Sequence, residues 1–145
     1  MVIYLDTSAF LKLYIREDGS EVVQTIVTSQ FDPLPLWDIL RAEMLNAFRL
    51  KVFWNELDEG EADRLVELFD QRLARGQYFV MDVDRHQLLA GFRRLSEQTP
   101  GNGCRTMDIL HVACALQLDP VHFVSFDARQ RSLAAAAGLS IMPTD

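Results

Sequence analysis

Strands and helices alternate along this chain, which predicts an α/β fold with a mainly parallel sheet of about five strands covered by helices on both sides. Three observations carry that prediction. Val2 to Leu5 is an unbroken apolar, β-prone run, as a strand buried on both faces requires. It leads straight into Asp6, Thr7 and Ser8, followed by Phe10, Leu13 and Tyr14 at helical spacing, so a helix opens where the strand stops. The length of 145 residues suits one domain that buries roughly two thirds of its unfolded surface, so residues 1–145 read as a single unit.

After this first strand and helix, Gly19 and Ser20 open a second helix with Val22, Val23, Ile26 and Val27 on its apolar face. Phe31 to Trp37 holds Pro33 and Pro35, which cannot donate to a ladder, so any strand there is short or marginal. Asp38 to Phe53 is helical, with Ile39, Leu40, Ala47 and Leu50 on one side, and Glu43 falls on that same side. Glu59 to Arg75 is a strongly amphipathic helix: Ala62, Leu65, Val66, Phe69 and Leu73 point inward, and its charges form a solvated face. Gln77 to Val83 is a strand, with Asp82 near its end as a minor candidate, and Asp84 caps the helix of Leu88, Leu89, Phe92 and Leu95. Thr99 to Gly103 is a breaker cluster and reads as a flexible loop. Thr106 to Leu116 is apolar on nearly every side and so is a buried helix, with Asp108 in its first turn. His122 to Ser125 is a short strand, Ala128 to Ala137 a small helix that Gly138 stops, and Leu139 to Met142 a last strand.

Bulk properties narrow the function. No run of about eighteen apolar residues exists, so no membrane span is expected, and the start of the chain lacks the form of a secretory signal. Cys104 and Cys114 have neither zinc nor CxxC spacing, which points to a reducing, cytoplasmic setting. A formal net charge of −7 argues against passive nucleic-acid binding. It does not exclude a nuclease, because an acidic site loaded with divalent cations reverses its own local sign.

Four acids stand out. Asp6 and Asp127 each follow an apolar strand and precede a helix, which places both at the carboxyl edge of the sheet, where ligands of open α/β folds gather. Each is equally placed to be only a helix cap. Asp108 has a similar plain explanation at the positive end of its helix, whereas Glu43 sits mid-helix with no cap to make. Carboxylates gathered in a low dielectric repel one another and resist desolvation, so a positive charge must offset them. Oxygen donors without cysteine or paired histidine suit Mg²⁺ or Mn²⁺, although arginine is the other source of positive charge. His111 reads as a hydrogen-bonded core residue, and Ser8 and Ser125 as groups that orient a carboxylate or a water.

Taken in order, D-T-S at Asp6 to Ser8, R-A-E-M-L-N-A around Glu43, T-M-D-I-L-H-V-A-C-A around Asp108 and S-F-D-A-R at Ser125 to Arg129 resemble the successive motifs of PIN-domain ribonucleases. The resemblance is strongest to the VapC toxins of toxin-antitoxin pairs and covers nearly the whole chain. It implies a three-layer α/β/α sandwich in which Asp6, Glu43, Asp108 and the more variable Asp127 bind Mg²⁺ or Mn²⁺. Ser125 stands where the family more often has threonine. The resemblance further implies an RNA substrate, a homodimer and a small antitoxin that blocks the site. Arg41, Arg49, Arg105 and Arg129 flank the acids as phosphate partners or as ordinary surface ion pairs. Phe10, Leu13, Tyr14, Val52, Phe53 and Trp54 are the apolar candidates for an antitoxin groove, with a core role the simpler reading for most.

The expected function is metal-dependent hydrolysis of RNA phosphodiester bonds; the alternative is a non-catalytic module that binds RNA or protein. Two other chemistries fit the residues poorly. A haloacid-dehalogenase phosphatase needs an aspartate two residues after Asp6, where Ser8 stands, and a response-regulator receiver needs a lysine late in the chain, where the only lysines are Lys12 and Lys51.

Overall fold

The computed structural model describes residues 2–30, 32–118 and 120–144. Five strands and eight α-helices follow one another as β1 (Val2–Leu5), α1 (Thr7–Leu11), α2 (Ser20–Thr28), β2 (Leu34–Leu36), α3 (Asp38–Phe53), α4 (Glu59–Ala74), β3 (Tyr78–Val80), α5 (Arg85–Ser96), α6 (Thr99–Asn102), α7 (Thr106–Ala115), β4 (Val121–Val124), α8 (Ala128–Ala136) and β5 (Ser140–Met142) among the described residues. All three strand pairings are parallel. The ladders form two groups, β1-β4-β5 and β2-β3, with β2 packed beside β1.

That division corrects the expectation of one continuous sheet. Pro35 occupies the middle of β2 and has no N–H to donate, so β2 pairs with β3 on one side and only packs against β1 on the other. The predicted strand from Phe31 to Trp37 shrinks to three residues for the same reason, and Phe31 itself lies outside the described residues. A second correction concerns Thr99 to Gly103, which forms the short helix α6. Pro100 fits a first helical turn, where its missing N–H goes unused, and Gly103 ends the helix at φ +67°.

Helices pack in two groups that match the two covered faces of the sheet. On one side α1 contacts α2 and α3, and α3 contacts α4; on the other α7 contacts α5 and α8. The first group encloses an aromatic cluster in which Phe10 meets Tyr78 edge-on at 5.0 Å between centroids and Tyr14 meets Phe48 at 5.5 Å, with Phe69 fully buried beside them. Phe10 is therefore core. The inward face of α3 is Leu40, Met44 and Phe48, rotated from the predicted stripe, so Leu50 is exposed and Glu43 lies on the flank of the buried face. Among the described residues no helix is long and apolar enough to cross a membrane.

Candidate active site

The register of the first ladder builds the site. Leu5 pairs with Val124, and the Asp6 amide extends the pairing by donating to the Val124 carbonyl at 3.2 Å. Asp6 and Ser125 thus leave the carboxyl ends of adjacent parallel strands side by side. Arg131 holds that end of the sheet closed: Nη1 donates to the carbonyls of Ser125 (2.8 Å) and Met142 (3.1 Å), and Nη2 to that of Pro143 (2.7 Å).

A cleft of about 410 Å³ opens at this edge, lined by Asp6, Thr7 and Ser8 at the strand-helix junction, by Glu43, Ala47, Leu50, Lys51 and Trp54 along α3, by Met107, Asp108 and His111 on α7, and by Leu11, Glu17 and Gln130. Its lining carries four carboxylates, Asp6, Glu17, Glu43 and Asp108, against one ammonium, Lys51. Lys51 bridges to Glu56 at 3.3 Å, and Lys12 bridges to the lining acid Glu17 at 3.1 Å. A cleft with this charge attracts cations.

Of these four carboxylates, Asp6, Glu43 and Asp108 are held differently. Asp6 is buried, and its Oδ1 accepts the Ala9 amide at 2.7 Å as the cap of α1. Burial raises its carboxyl to about 6, opposed by the Ala9 amide, His111 and the Ser125 hydroxyl and reinforced by Asp108. Its cap role and its place in the cleft coexist. Glu43 is partly buried; its Oε1 accepts from Thr7 Oγ1 at 2.7 Å and meets His111 Nε2 at 2.6 Å. Burial pushes Glu43 up, but those two bonds together outweigh it and leave the carboxyl below the ordinary glutamate value. Asp108 accepts the Arg105 amide through Oδ2 at 3.2 Å, in the first turn of α7.

Asp127 stands apart. It is exposed, does not line the cleft, and caps α8 by accepting the Gln130 amide at 3.0 Å. Ser8 lines the cleft and is exposed, whereas Ser125 is fully buried, where its hydroxyl donates to Gln130 Oε1 at 2.7 Å and accepts the Asp127 amide at 3.2 Å. Gln130, unforeseen from sequence, is buried and links α8 to α7 by donating Nε2 to the Asp108 carbonyl at 3.2 Å. Glu17 and Lys51 were likewise unmarked, because only the tertiary fold brings them to the cleft. His111 carried a signal: it lies three residues after Asp108, on the same face of a helix. The four flanking arginines do not line the cleft, and Arg49 forms an exposed ion pair with Asp63 at 2.5 Å. Asp82 is exposed and outside it too.

The donor set suits a hard cation, since the cleft acids offer only carboxylate oxygens and the anionic form of Asp6 is short of compensation. Among the described residues, however, no three Asp, Glu, His or Cys side chains are already gathered to ligand distance.

Comparison with known proteins agrees with the fold. Ribonuclease VapC46 of Mycobacterium tuberculosis is 30% identical over 143 residues, covering 97% of this chain and 95% of that protein. The crystal structure of FitAcB from Neisseria gonorrhoeae superposes with a TM-score of 0.71 at 18% identity, covering 98% of this chain and 97% of that one. The structure of VapBC-1 from nontypeable Haemophilus influenzae does so at 0.68 and 15% identity, with the same coverage. Residues 3–136 match the PIN domain, and the chain belongs to that family.

Proposed function

We propose that the chain, a single PIN unit over residues 1–145, is a metal-dependent endoribonuclease and the toxin of a toxin-antitoxin pair. One observation carries the reading: Asp6, Glu43 and Asp108 come from three separate elements and line one cleft at the carboxyl edge of β1. Its likeness over nearly full length to a protein named as a VapC ribonuclease supports the same conclusion.

Asp6, Glu43 and Asp108 would hold the cation, Mg²⁺ or Mn²⁺, with Asp127 as a more distant fourth acid. When bound, such an ion polarises a phosphoryl oxygen and lowers the pKa of water. The chain supplies the rest. Thr7 and His111 orient Glu43, the Ala9 amide holds Asp6, and Gln130 ties the first turn of α7 to α8. Lys51 lines the cleft wall and would meet a phosphate by exchanging Glu56 for it, and exposed Leu50 and Trp54 give the rim an apolar side. Exposed Phe53 and Trp54 at the end of α3 form the surface we assign to the antitoxin, and the toxin acts as a homodimer in the cytoplasm.

Incubating the protein with single-stranded RNA bearing a fluorophore and quencher tests this reading. Cleavage in Mg²⁺ or Mn²⁺ that EDTA stops, and that Asp108→Asn abolishes, is the expected result. RNA bound without turnover in either metal would instead make the chain a binding module.

A further inference from the structure

Behind the acids runs a continuous hydrogen-bonded line of buried side chains. Trp37 Nε1 donates to Tyr4 Oη at 2.8 Å, Tyr4 Oη lies 2.6 Å from His111 Nδ1, and His111 Nε2 lies 2.6 Å from Glu43 Oε1. Thr7 Oγ1 joins the far end, 2.7 Å from the same Oε1 and 3.1 Å from Nε2. Tyr4, Trp37 and His111 are 0%, 5% and 3% exposed.

The donor inventory orders this line. An indole nitrogen only donates and a carboxylate only accepts, so Trp37 donates to a lone pair of Tyr4 Oη and His111 Nε2 donates to Glu43 Oε1. A neutral ring that carries its hydrogen on Nε2 accepts at Nδ1, facing Tyr4 Oη. Trp37 stands edge-on to the imidazole at 89° and Tyr4 packs against it at 5.8 Å, so the ring is confined as well as bonded. Both bonds to Glu43 end on Oε1, and among the described residues none reaches Oε2.

The elements joined are the ones that bring the acids. Tyr4 and Thr7 bracket Asp6 at the end of β1, and His111 shares a face of α7 with Asp108. We propose that His111 is a positioning residue: backed by Tyr4 and Trp37, it anchors Glu43 through Oε1 and leaves Oε2 as the ligand oxygen for the cation. This rests on the reading of the cleft as a cation-holding nuclease site. Outer-shell partners of this kind alter metal affinity by roughly 10- to 100-fold when removed.

Calorimetric titration of Mn²⁺ into full-length wild type, His111→Leu, His111→Gln and Thr7→Val tests it, with circular dichroism confirming the fold. The expected result is a roughly 10- to 100-fold weaker Kd in His111→Leu, largely recovered in His111→Gln, whose amide restores a donor to Oε1. RNA cleavage in His111→Leu should lose kcat at unchanged KM. A folded His111→Leu with the wild-type Kd overturns the proposal. Should His111→Leu fail to fold, Thr7→Val decides: a several-fold weaker Kd supports the anchoring of Oε1, and an unchanged one overturns it. Wild type that neither binds Mn²⁺ nor cuts RNA sinks the nuclease reading and this proposal together, whereas normal wild-type binding with indifferent variants sinks only the role of His111.

Discussion

Replacing Asp6 by asparagine should stabilise the protein at neutral pH while abolishing its activity. In the folded chain burial raises the Asp6 carboxyl from 3.8 to about 6, so its anionic form is less comfortable than in the unfolded chain. Between those values the unfolded chain sheds its proton first, and the Asp6 contribution to stability falls as pH rises from about 4, levelling off above about 6. At ~1.4 kcal/mol for each pH unit, the cost at pH 7.5 is about 3 kcal/mol. Asparagine escapes that cost and keeps an oxygen for the Ala9 amide, but it loses the charge assistance of that 2.7 Å bond. The net gain should be about 1–3 kcal/mol at pH 7.5 and near zero at about pH 3.5. Urea unfolding of both proteins in EDTA at the two pH values measures it. Saturating Mg²⁺ should narrow the gap, since ligand at a hundredfold excess over its Kd adds about 2.7 kcal/mol to the protein that binds it. A gain that is the same at both pH values, or a loss at pH 7.5, would refute the placement of Asp6 as an uncompensated buried acid.

Three other substitutions and one chemical probe test the fold. Gly19 caps α2 at φ +91°, and a Cβ there would meet the Phe126 ring at 3.1 Å and Lys12 at 3.2 Å, so Gly19→Ala should cost about 1–2 kcal/mol in thermal unfolding. Gly138→Ala, at φ +92° with open space around it, should cost less. Phe69→Ala empties a fully buried position in the aromatic cluster and should cost about 3–5 kcal/mol. Burial pushes the Cys114 thiol up to about 12 and raises Cys104 as well, so Ellman's reagent at pH 8 should label neither quickly until denaturant is added; rapid labelling of the native protein contradicts their placement.

The parts of the architecture that depend on neighbouring residues were readable in advance. A continuous apolar run ending in an acid predicts β1, the strand-helix junction and the place of Asp6, and the periodicity of α4 predicts which of its residues are inside. Pairing across distant segments was harder to foresee. Pro35 announces a weak strand, but not that the ladder would break between β1 and β2. Asp6 and Asp127 look alike in sequence, each a strand-end acid before a helix; only the packing makes one a buried wall of the cleft and the other an exposed cap. The predicted stripe of α3 runs through Ile39, Leu40, Ala47 and Leu50, whereas the buried face runs through Leu40, Met44 and Phe48, turned by roughly a quarter of the helix circumference. Glu17, Lys51 and Gln130 carry no local mark of their place at the cleft, since what puts them there is contact between elements far apart in the chain. His111 read correctly as a hydrogen-bonded interior residue, yet its partners, Tyr4, Thr7 and Glu43, lie on other elements and only the fold names them.

Anomalous diffraction from crystals of the intact protein soaked in Mn²⁺ reaches the central claim most directly. A peak within carboxylate-ligand distance of Asp6, Glu43 and Asp108, absent from Asp108→Asn crystals, is the predicted result. Density for Mn²⁺ only at Asp127 or at surface acids, with the cleft carboxylates left unliganded at saturating metal, would contradict it.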